Sequence, residues 1–403
     1  MPKTTCPFCY RPIKPREILY VCSGRAAPGL TACVRAEDAE RLSETGSRSA
    51  MRPTFKASDA YVEKSFRGRL SRAVHSDLAR CPRCRASSGL RACPHCHTPL
   101  PAEFASSPSP LIAMVGAYGA GKSVYLAVLA NTLKTRLAER FDAAIRLTGD
   151  AQGGEESGLN WLTANVRRMF DDRRLIPPTA ESTSGRKEPV VFEWRQRRRN
   201  GTSTSYLSFY DTAGEDLKGE DSAKDLKYLA SADALVLLLD PLLLRGARDE
   251  AGITGTGDGR DDGRLLVAVE SVTEALREAR GRFGKPIDIP IAATFGKIDA
   301  FFGHLGPDHP IRRVPPPGDF YDDTAGAELH EHVRALLVGW GGGEIDSHLR
   351  HNYRDFRYFP VSSLGEPPDG EAISDRGVRP LRVEEPLLWL LSRFGVVKAR
   401  KSR

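Results

Sequence analysis

The sequence predicts a mixed α/β fold in which a mostly parallel sheet with one antiparallel hairpin strand follows a small cysteine-rich module. Three observations predict this fold. A glycine-rich loop separates a strand-like run from a helix-like run. Short buried strand patterns then alternate with helical patterns, and all eight cysteines lie in the first hundred residues. The 403 residues, 40% of them hydrophobic, are enough for two or three domains with a sizeable core.

The glycine-rich loop is the most specific motif of the chain. Its residues are Gly116, Ala117, Tyr118, Gly119, Ala120, Gly121, Lys122 and Ser123, followed by Val124. They satisfy G-x-x-x-x-G-K-[ST] between a strand-like run at Leu111–Val115 and a helix-like run at Val124–Leu137. In such a loop the backbone N–H groups surround phosphate oxygens, while Lys122 reaches the outer phosphates and Ser123 binds Mg²⁺. The motif predicts a P-loop NTPase domain.

A second motif, Asp211-Thr212-Ala213-Gly214-Glu215, follows the strand pattern that ends at Tyr210. Asp211 is placed to hold the water shell of Mg²⁺, and Gly214 can approach a γ-phosphate because it has no Cβ. Upstream, strand-like residues 190–199 and 202–210 flank Asn200-Gly201, which predicts a β-hairpin with a two-residue turn.

Two further strand ends carry polar residues. Buried strands are predicted at Ala234–Leu239 and Ile289–Thr294, and the second runs into Gly296-Lys297-Ile298-Asp299. The strand-like run Tyr358–Val361 leads into Ser362-Ser363-Leu364.

In order and spacing, these motifs resemble those of P-loop GTPases of the Ras-like and translation-factor (TRAFAC) class, from Leu111 to about Phe394. The resemblance implies GTP or GDP as ligand, Lys297 over the base, Asp299 accepting from guanine N1 and N2, and Ser362 and Ser363 contacting guanine. Gly296 departs from the Asn or Thr of that class, which keeps an ATP-dependent, nucleic-acid-binding factor open as an alternative.

The phosphate-loop sequence A-Y-G-A-G-K-S-V-Y-L-A-V-L and the C-terminal segment Glu385–Leu391 follow an N-terminal cysteine module. In these features the chain also resembles the bacterial double-GTPase family. That resemblance implies a role in a multi-protein conflict or signalling system. It also implies a protein effector or activating partner, such as a second GTPase of the same system. The chain itself has a single phosphate loop.

The resemblance implies a Mg²⁺-dependent GTPase switch whose catalytic residues are Lys122, Thr179, Gly214 and Glu215. Mg²⁺ would be held by Ser123, Asp211 and Thr179, with Thr183 as the alternative threonine. Glu215 stands where Ras-like enzymes carry a water-orienting Gln. Because a carboxylate is repelled by a γ-phosphate, we expect slow intrinsic hydrolysis; a non-hydrolysing scaffold is the other interpretation.

The cysteines form three C-P-x-C pairs and two single residues. Two structural zinc sites are predicted, one from Cys81, Cys84, Cys93 and Cys96 and one from Cys6, Cys9, Cys22 and Cys33. A cross-braced arrangement, with Cys6 and Cys9 joining Cys81 and Cys84, stays open. His75, His95 and His97 are expected to be solvated or to support the ligands.

Residues 1–105 hold 18 Lys and Arg against 9 Asp and Glu. This basic surplus allows nucleic-acid contact, but aromatic residues are sparse there, so we expect a protein-docking module. No run approaches the ~18–20 apolar residues of a membrane span, and the N-terminus lacks a hydrophobic signal region. We therefore expect a cytoplasmic protein without membrane contact, whose reduced thiols bind metal.

The predicted organisation is a metal module over residues 1–100, a Pro/Ser linker over 101–110 and the nucleotide domain over 111–403. Helical patterns are predicted at Leu159–Met169, Leu265–Leu276, Leu329–Trp340 and Pro386–Phe394, and a mobile loop at Gly246–Gly263.

Overall fold

The computed structural model describes residues 4–62, 78–117, 119–148, 157–177, 188–198, 201–211, 222–253, 263–315 and 318–401. Its cysteine-rich N-terminal part consists of short strands joined by tight turns. The strands are β1 (Thr4–Thr5), β2 (Pro12–Ile13), β3 (Leu19–Val21), β4 (Thr54–Phe55), β5 (Ala79–Arg80), β6 (Ser87–Ser88), β7 (Arg91–Ala92) and β8 (Pro99–Leu100). They form a sheet in the order β4-β3-β7-β8 and two hairpins, β1-β2 and β5-β6. Helix α1 (Ala39–Thr45) is capped at its N-terminus by Asp38, whose side chain accepts a hydrogen bond from the Arg41 N–H.

The rest of the chain is built on a central sheet. Its strands are β9 (Leu111–Gly116), β10 (Ala143–Thr148), β11 (Val190–Arg198), β12 (Gly201–Asp211), β13 (Ala234–Leu239), β14 (Ile291–Phe295) and, after the short β15 (Phe320–Asp322), β16 (Phe356–Pro360). The order is β10-β11-β12-β9-β13-β14-β16. β11 is antiparallel to both neighbours, while the other described strands of this sheet share one direction. This confirms the mostly parallel sheet with one antiparallel hairpin strand.

Helices cover both faces of this sheet. They are α2 (Lys122–Thr132), extended by a π-helical turn (Leu133–Leu137) and α3 (Ala138–Arg140), then α4 (Gly158–Phe170), α5 (Ser222–Ser231), α6 (Arg245–Glu250), α7 (Arg264–Arg280), α8 (Asp323–Gly339), α9 (Gly343–Asn352) and α10 (Glu385–Arg393), before strand β17 (Lys398–Arg400) pairs with β15. α2, α4 and α10 pack on one face, and α5, α7, α8 and α9 on the other. Because both faces are covered, β9 and β13 are buried along their whole length, which explains their uninterrupted apolar runs.

All four helical patterns predicted from the sequence correspond to helices, namely α4, α7, α8 and α10. The loop prediction at Gly246–Gly263 is wrong in its first part, because α6 continues to Glu250; residues 254–262 lie outside the described ranges. Strand β10 and helix α9 had no clear sequence signal. α9 begins at Gly343 directly after a glycine run in which Gly341, at φ 88°, follows the end of α8.

The N-terminal part packs against the hairpin β11-β12. Phe8, Ile13 and Phe104 form one cluster with Val191 and Tyr206, two residues on the face of the hairpin opposite to Phe192 and Leu207. Residues 101–110 lie along β12, since the Tyr206 and Ser208 N–H groups donate to the Pro108 and Pro110 carbonyls at 2.9 and 3.3 Å. The predicted linker is therefore held by backbone hydrogen bonds. Among the described helices, none combines the length and apolar character needed to cross a bilayer.

Candidate functional site

The phosphate loop joins β9 to α2 at the carboxyl edge of the central sheet. Gly119 and Gly121 have φ angles of 73° and 86°, in the region that favours glycine. A Cβ at either position would meet no atom within 4 Å, so the space beside the loop is open. At Gly116 a Cβ would lie 2.3 Å from the Leu238 carbonyl oxygen, because β9 and β13 approach closely there. These three glycines shape an open cradle on a rigid strand end.

Lys122 is the first residue of α2, and its side chain turns back over the loop. Its Nζ donates to the Gly116 and Ala117 carbonyl oxygens at 2.9 and 3.2 Å. Ser123 follows, half-buried at the helix N-terminus. The ammonium group and the helix N-terminus therefore both face the open cradle, an arrangement that suits a phosphate. The loop brings together Gly116, Ala117, Gly119, Ala120, Gly121, Lys122, Ser123 and Val124, while Tyr118 lies outside the described residues.

The second motif begins at the end of β12, the strand beside β9. Asp211 is the last residue of β12 and pairs in register with Met114, two positions before the phosphate loop begins. The backbone thus brings Asp211 to the edge of the cradle. Gly214, Glu215, Thr179 and Thr183 lie outside the described residues, so their roles stay predictions.

The predicted base-contacting residues converge because β14 and β16 are parallel neighbours. Asp299 follows β14, Ser362 follows β16, and the Ile298 N–H donates to the Val361 carbonyl at 3.2 Å. The Ser362 hydroxyl is buried and hydrogen-bonds to the Asp299 carboxylate. It also accepts from the Gly365 N–H at 2.7 Å, so its proton is directed to Asp299. Half-buried Ser363 is next in the chain.

Two opposing effects act on the Asp299 carboxyl. Burial raises its pKa, whereas the hydrogen bond from Ser362 and the positive charge of Lys297 act to lower it, and the rise prevails. An ionised carboxylate held in this way can accept two hydrogen bonds from one edge of a guanine base.

Lys297 contacts a residue that the sequence interpretation missed. Its Nζ lies 2.6 Å from Oδ2 of Asp240, which directly follows β13. The signal that the sequence offered was Asp240 itself, an acidic residue directly after the buried run that forms β13. Proximity of strand ends, and not sequence spacing, brings the two side chains together.

The eight cysteines form two tetrads, and both differ from the predicted grouping. One consists of Cys6, Cys9, Cys93 and Cys96, and the other of Cys22, Cys33, Cys81 and Cys84. The sequential grouping is wrong, and the cross-braced alternative assigned the wrong partner to Cys6 and Cys9. The reason is the pairing of β3 with β7. These strands are antiparallel, so Cys22 after β3 and Cys93 after β7 lie at opposite ends of the pair.

Both tetrads have the dimensions of a tetrahedral metal site. Sulfur–sulfur distances are 3.8 Å for Cys6–Cys96 and Cys9–Cys93, 3.4 Å for Cys22–Cys84 and 3.9 Å for Cys33–Cys81. A tetrahedron with Zn–S bonds of about 2.3 Å has edges of about 3.8 Å. Each tetrad could therefore hold one zinc ion, and the donor chemistry fits it.

The three C-P-x-C turns share one backbone geometry. In each, the N–H after the second cysteine donates to the carbonyl of the first, and that next residue has a φ of 52–60° (Tyr10, Arg85 and His97). His95 and His97, which lie near the cysteines in sequence, are not part of either tetrad. His97 contacts Asp38 at 2.9 Å, and His95 contacts the Pro12 carbonyl at 3.1 Å. His75 lies outside the described residues.

Comparison with known proteins finds a family match for the part of the chain that holds the phosphate loop. Residues 110–308 match the family model described as DO-GTPase2, Double-GTPase 2. The matched segment is similar to the Double-GTPase 2 family over nearly half of the chain. It extends from the start of β9 past Asp299, so it contains the phosphate loop, Asp211 and the Lys297–Asp240 pair. The match supports guanine-nucleotide binding at the site described above, and it implies Mg²⁺ as a cofactor.

One relative is similar along nearly its whole length. The chain is 28% identical to "Putative ESX-1 scaffolding and assembly protein SaeC" of Mycolicibacterium smegmatis (strain ATCC 700084 / mc(2)155), covering 97% of this chain and 99% of the relative. The similarity includes both the cysteine-rich part and the Double-GTPase 2 segment.

Two solved structures show distant similarity to this chain. The GTP-bound GTPase-like domain of Saccharomyces cerevisiae Ski7 matches with 12% identity and a TM-score of 0.28, covering 66% of this chain and 48% of that one. Sup35 with GDP matches with 14% identity and a TM-score of 0.22, covering 68% and 41%. The chain thus spans about half the length of these two structures.

Proposed function

We propose that this chain is a Mg²⁺-dependent GTPase switch with slow intrinsic hydrolysis. The observation that carries the proposal is the position of Asp299, held by Ser362 at the same sheet edge as the phosphate loop. Lys122 and the loop N–H groups would bind phosphates, and the stem of Lys297 would cover the base. Mg²⁺ would neutralise phosphate charge, held by Ser123, with Asp211 and Thr179 as the other proposed contacts.

Guanine selectivity is tested by displacing a fluorescent GDP with unlabelled GTP, GDP or ATP. One bidentate carboxylate contact to a base discriminates by ~1–3 kcal/mol, so guanine nucleotides should compete about 5- to 150-fold better than ATP. Asp299→Asn should shift the preference toward xanthine nucleotides, because its amide donates where the carboxylate accepted. Equal competition by ATP would favour the ATP-dependent alternative.

Slow turnover is tested at Glu215. Glu215→Gln should leave binding intact and raise the rate, or at least not lower it, because a neutral amide can orient water without repelling the γ-phosphate. Single-turnover hydrolysis of wild type and variant with Mg²⁺ measures this. A hundredfold slower variant would identify Glu215 as a working general base and contradict the slow-switch proposal.

A nucleotide-binding scaffold that does not hydrolyse GTP is the second candidate. It is favoured by the scaffolding and assembly role in the printed name of the relative, together with Glu215. By either route we propose that the protein works in the cytoplasm within a multi-protein system, with protein partners. If GTP stays intact in the single-turnover assay while binding tightly, the scaffold is the correct interpretation.

A further inference from the structure

Asp240 lies between the two halves of the nucleotide site. It directly follows β13, whose Leu238 pairs with Gly116 of the phosphate loop on one side and whose Leu239 pairs with Phe295 on the other. The base-contacting loop and the phosphate loop therefore both border the residue at which β13 ends.

The Asp240 carboxylate bridges two elements with its two oxygens. Oδ2 is 2.6 Å from Lys297 Nζ, and Oδ1 accepts from the Leu242 N–H at 3.0 Å. The side chain of Asp240 is only 10% exposed, whereas that of Lys297 is 43% exposed. The nearly buried Asp240 carboxylate thus holds the Nζ end of Lys297, whose side chain faces solvent at the place where a base would lie.

Because position 296 is a glycine, the loop that carries Lys297 depends on contacts from other residues, such as the Lys297–Asp240 ion pair. Gly296 provides no side chain, although a Cβ there would meet only ordinary contacts, 3.6 Å from the Ala120 carbonyl oxygen and 3.9 Å from that of Leu239. The loop is held to β13 by the Gly296 N–H, which donates to Leu239 at 2.9 Å, and by the Lys297–Asp240 pair. Lys297 also has a φ of 54°, a conformation disfavoured for a non-glycine residue, so its position depends on such contacts.

We propose that Asp240 is a positioning residue for guanine recognition, which acts by holding Lys297 over the base. It replaces, from the neighbouring strand, the support that a polar side chain at position 296 would give. This inference rests on the proposed guanine site. It adds a specificity-determining residue outside the sequence motif itself.

The test is the release rate of fluorescent GDP from Asp240→Ala, Asp240→Asn, Lys297→Ala and the double variant Asp240→Ala/Lys297→Ala. Asp240→Ala and Lys297→Ala should each release GDP about tenfold faster. The double variant should also be about tenfold faster and not a hundredfold, because both changes remove one interaction. Asp249→Ala is the matched control, since Asp249 forms an exposed pair with Arg245 in α6 and should release GDP at the wild-type rate.

Asp240→Asn separates positioning from a local structural role. Its amide oxygen can still accept from the Leu242 N–H but has no charge to hold Lys297, so release should be fast while the melting temperature of the nucleotide-free protein is unchanged. Wild-type release by Asp240→Asn, or fully multiplicative effects in the double variant, would overturn this inference alone. Failure of the wild-type protein to bind GDP at all would overturn both it and the proposed guanine site.

Discussion

Paired cysteine substitutions test the nested arrangement of the two metal sites directly. Cys6→Ser/Cys96→Ser removes two thiols from one tetrad, whereas Cys6→Ser/Cys84→Ser removes one from each. The structure predicts that the first variant retains one zinc ion per chain and the second retains none, against two in the wild type. Both variants lose two thiols, so each is the control for the other.

The magnitude follows from the site geometry and packing. Sulfur–sulfur distances of 3.8 Å in one tetrad and of 3.4 and 3.9 Å in the other lie close to the ~3.8 Å edge of a ZnS₄ tetrahedron, so each tetrad needs little rearrangement to bind metal. Structural zinc contributes on the order of 10 kcal/mol to folding, and loss of one ligand removes much of it. Because Cys6, Cys9, Cys93 and Cys96 pack in one cluster with Val191 and Tyr206, loss of this site should also lower the melting temperature of the nucleotide domain.

Metal analysis of protein purified without added zinc, together with native mass spectrometry, gives the ion count per chain. Two ions lost from Cys6→Ser/Cys96→Ser, with one retained by Cys6→Ser/Cys22→Ser, would show the sequential grouping to be correct. Disulfides and a metal content near zero in the wild type would refute both arrangements.

Three further outcomes are expected. Burial raises the pKa of Asp299, and guanine binding requires its ionised form. As the pH is lowered, GDP affinity should therefore begin to fall at a higher pH than it would with an Asp of ordinary pKa. Binding titrations between pH 7.5 and 5 measure this, and a flat profile would contradict it. Gly116→Ala should destabilise the fold strongly, because its Cβ would lie 2.3 Å from a carbonyl oxygen, while Gly296→Ala should be nearly neutral in the same thermal unfolding assay. Tyr228→Phe should cost ~1–3 kcal/mol in urea unfolding, because the buried hydroxyl contacts the backbone of β9 and β12 at 3.1–3.2 Å; an unchanged midpoint would refute this.

The sequence revealed those parts of the site that lie on single local motifs. The phosphate loop could be placed because its glycines, Lys122 and the flanking strand and helix are contiguous. The strand ends near Asp211 and Asp299 could be placed because Asp211 follows an alternating strand pattern and Asp299 comes shortly after a buried apolar run. The two hairpin strands are confirmed, but the predicted position of the turn is wrong: Arg198 pairs with Gly201, so Gly201 is the first residue of β12 and not the second residue of an Asn200-Gly201 turn, and residues 199 and 200 lie outside the described ranges.

Contacts between elements that are distant in the sequence could not be predicted from local motifs. The Asp240–Lys297 pair depends on β13 and β14 being neighbours, and the metal tetrads depend on β3 pairing with β7. Each C-P-x-C turn has the same local appearance, so its sequence does not specify its partner. β10 was missed because its burial alternates weakly at the sheet edge.

The nested order of the cysteines also constrains the order of events during synthesis. The Cys6–Cys96 contact spans 90 positions and encloses the Cys22–Cys84 contact, which spans 62. Neither site can close until the chain has grown past its last ligand, and prior closure of the inner site shortens the loop that the outer one must close. Cys96 precedes β9 by only a short segment. Because all eight cysteines precede β9 and β11 begins only at Val190, a nascent chain can complete both metal sites, and with them the surface that packs on β11 and β12, before those strands are synthesised.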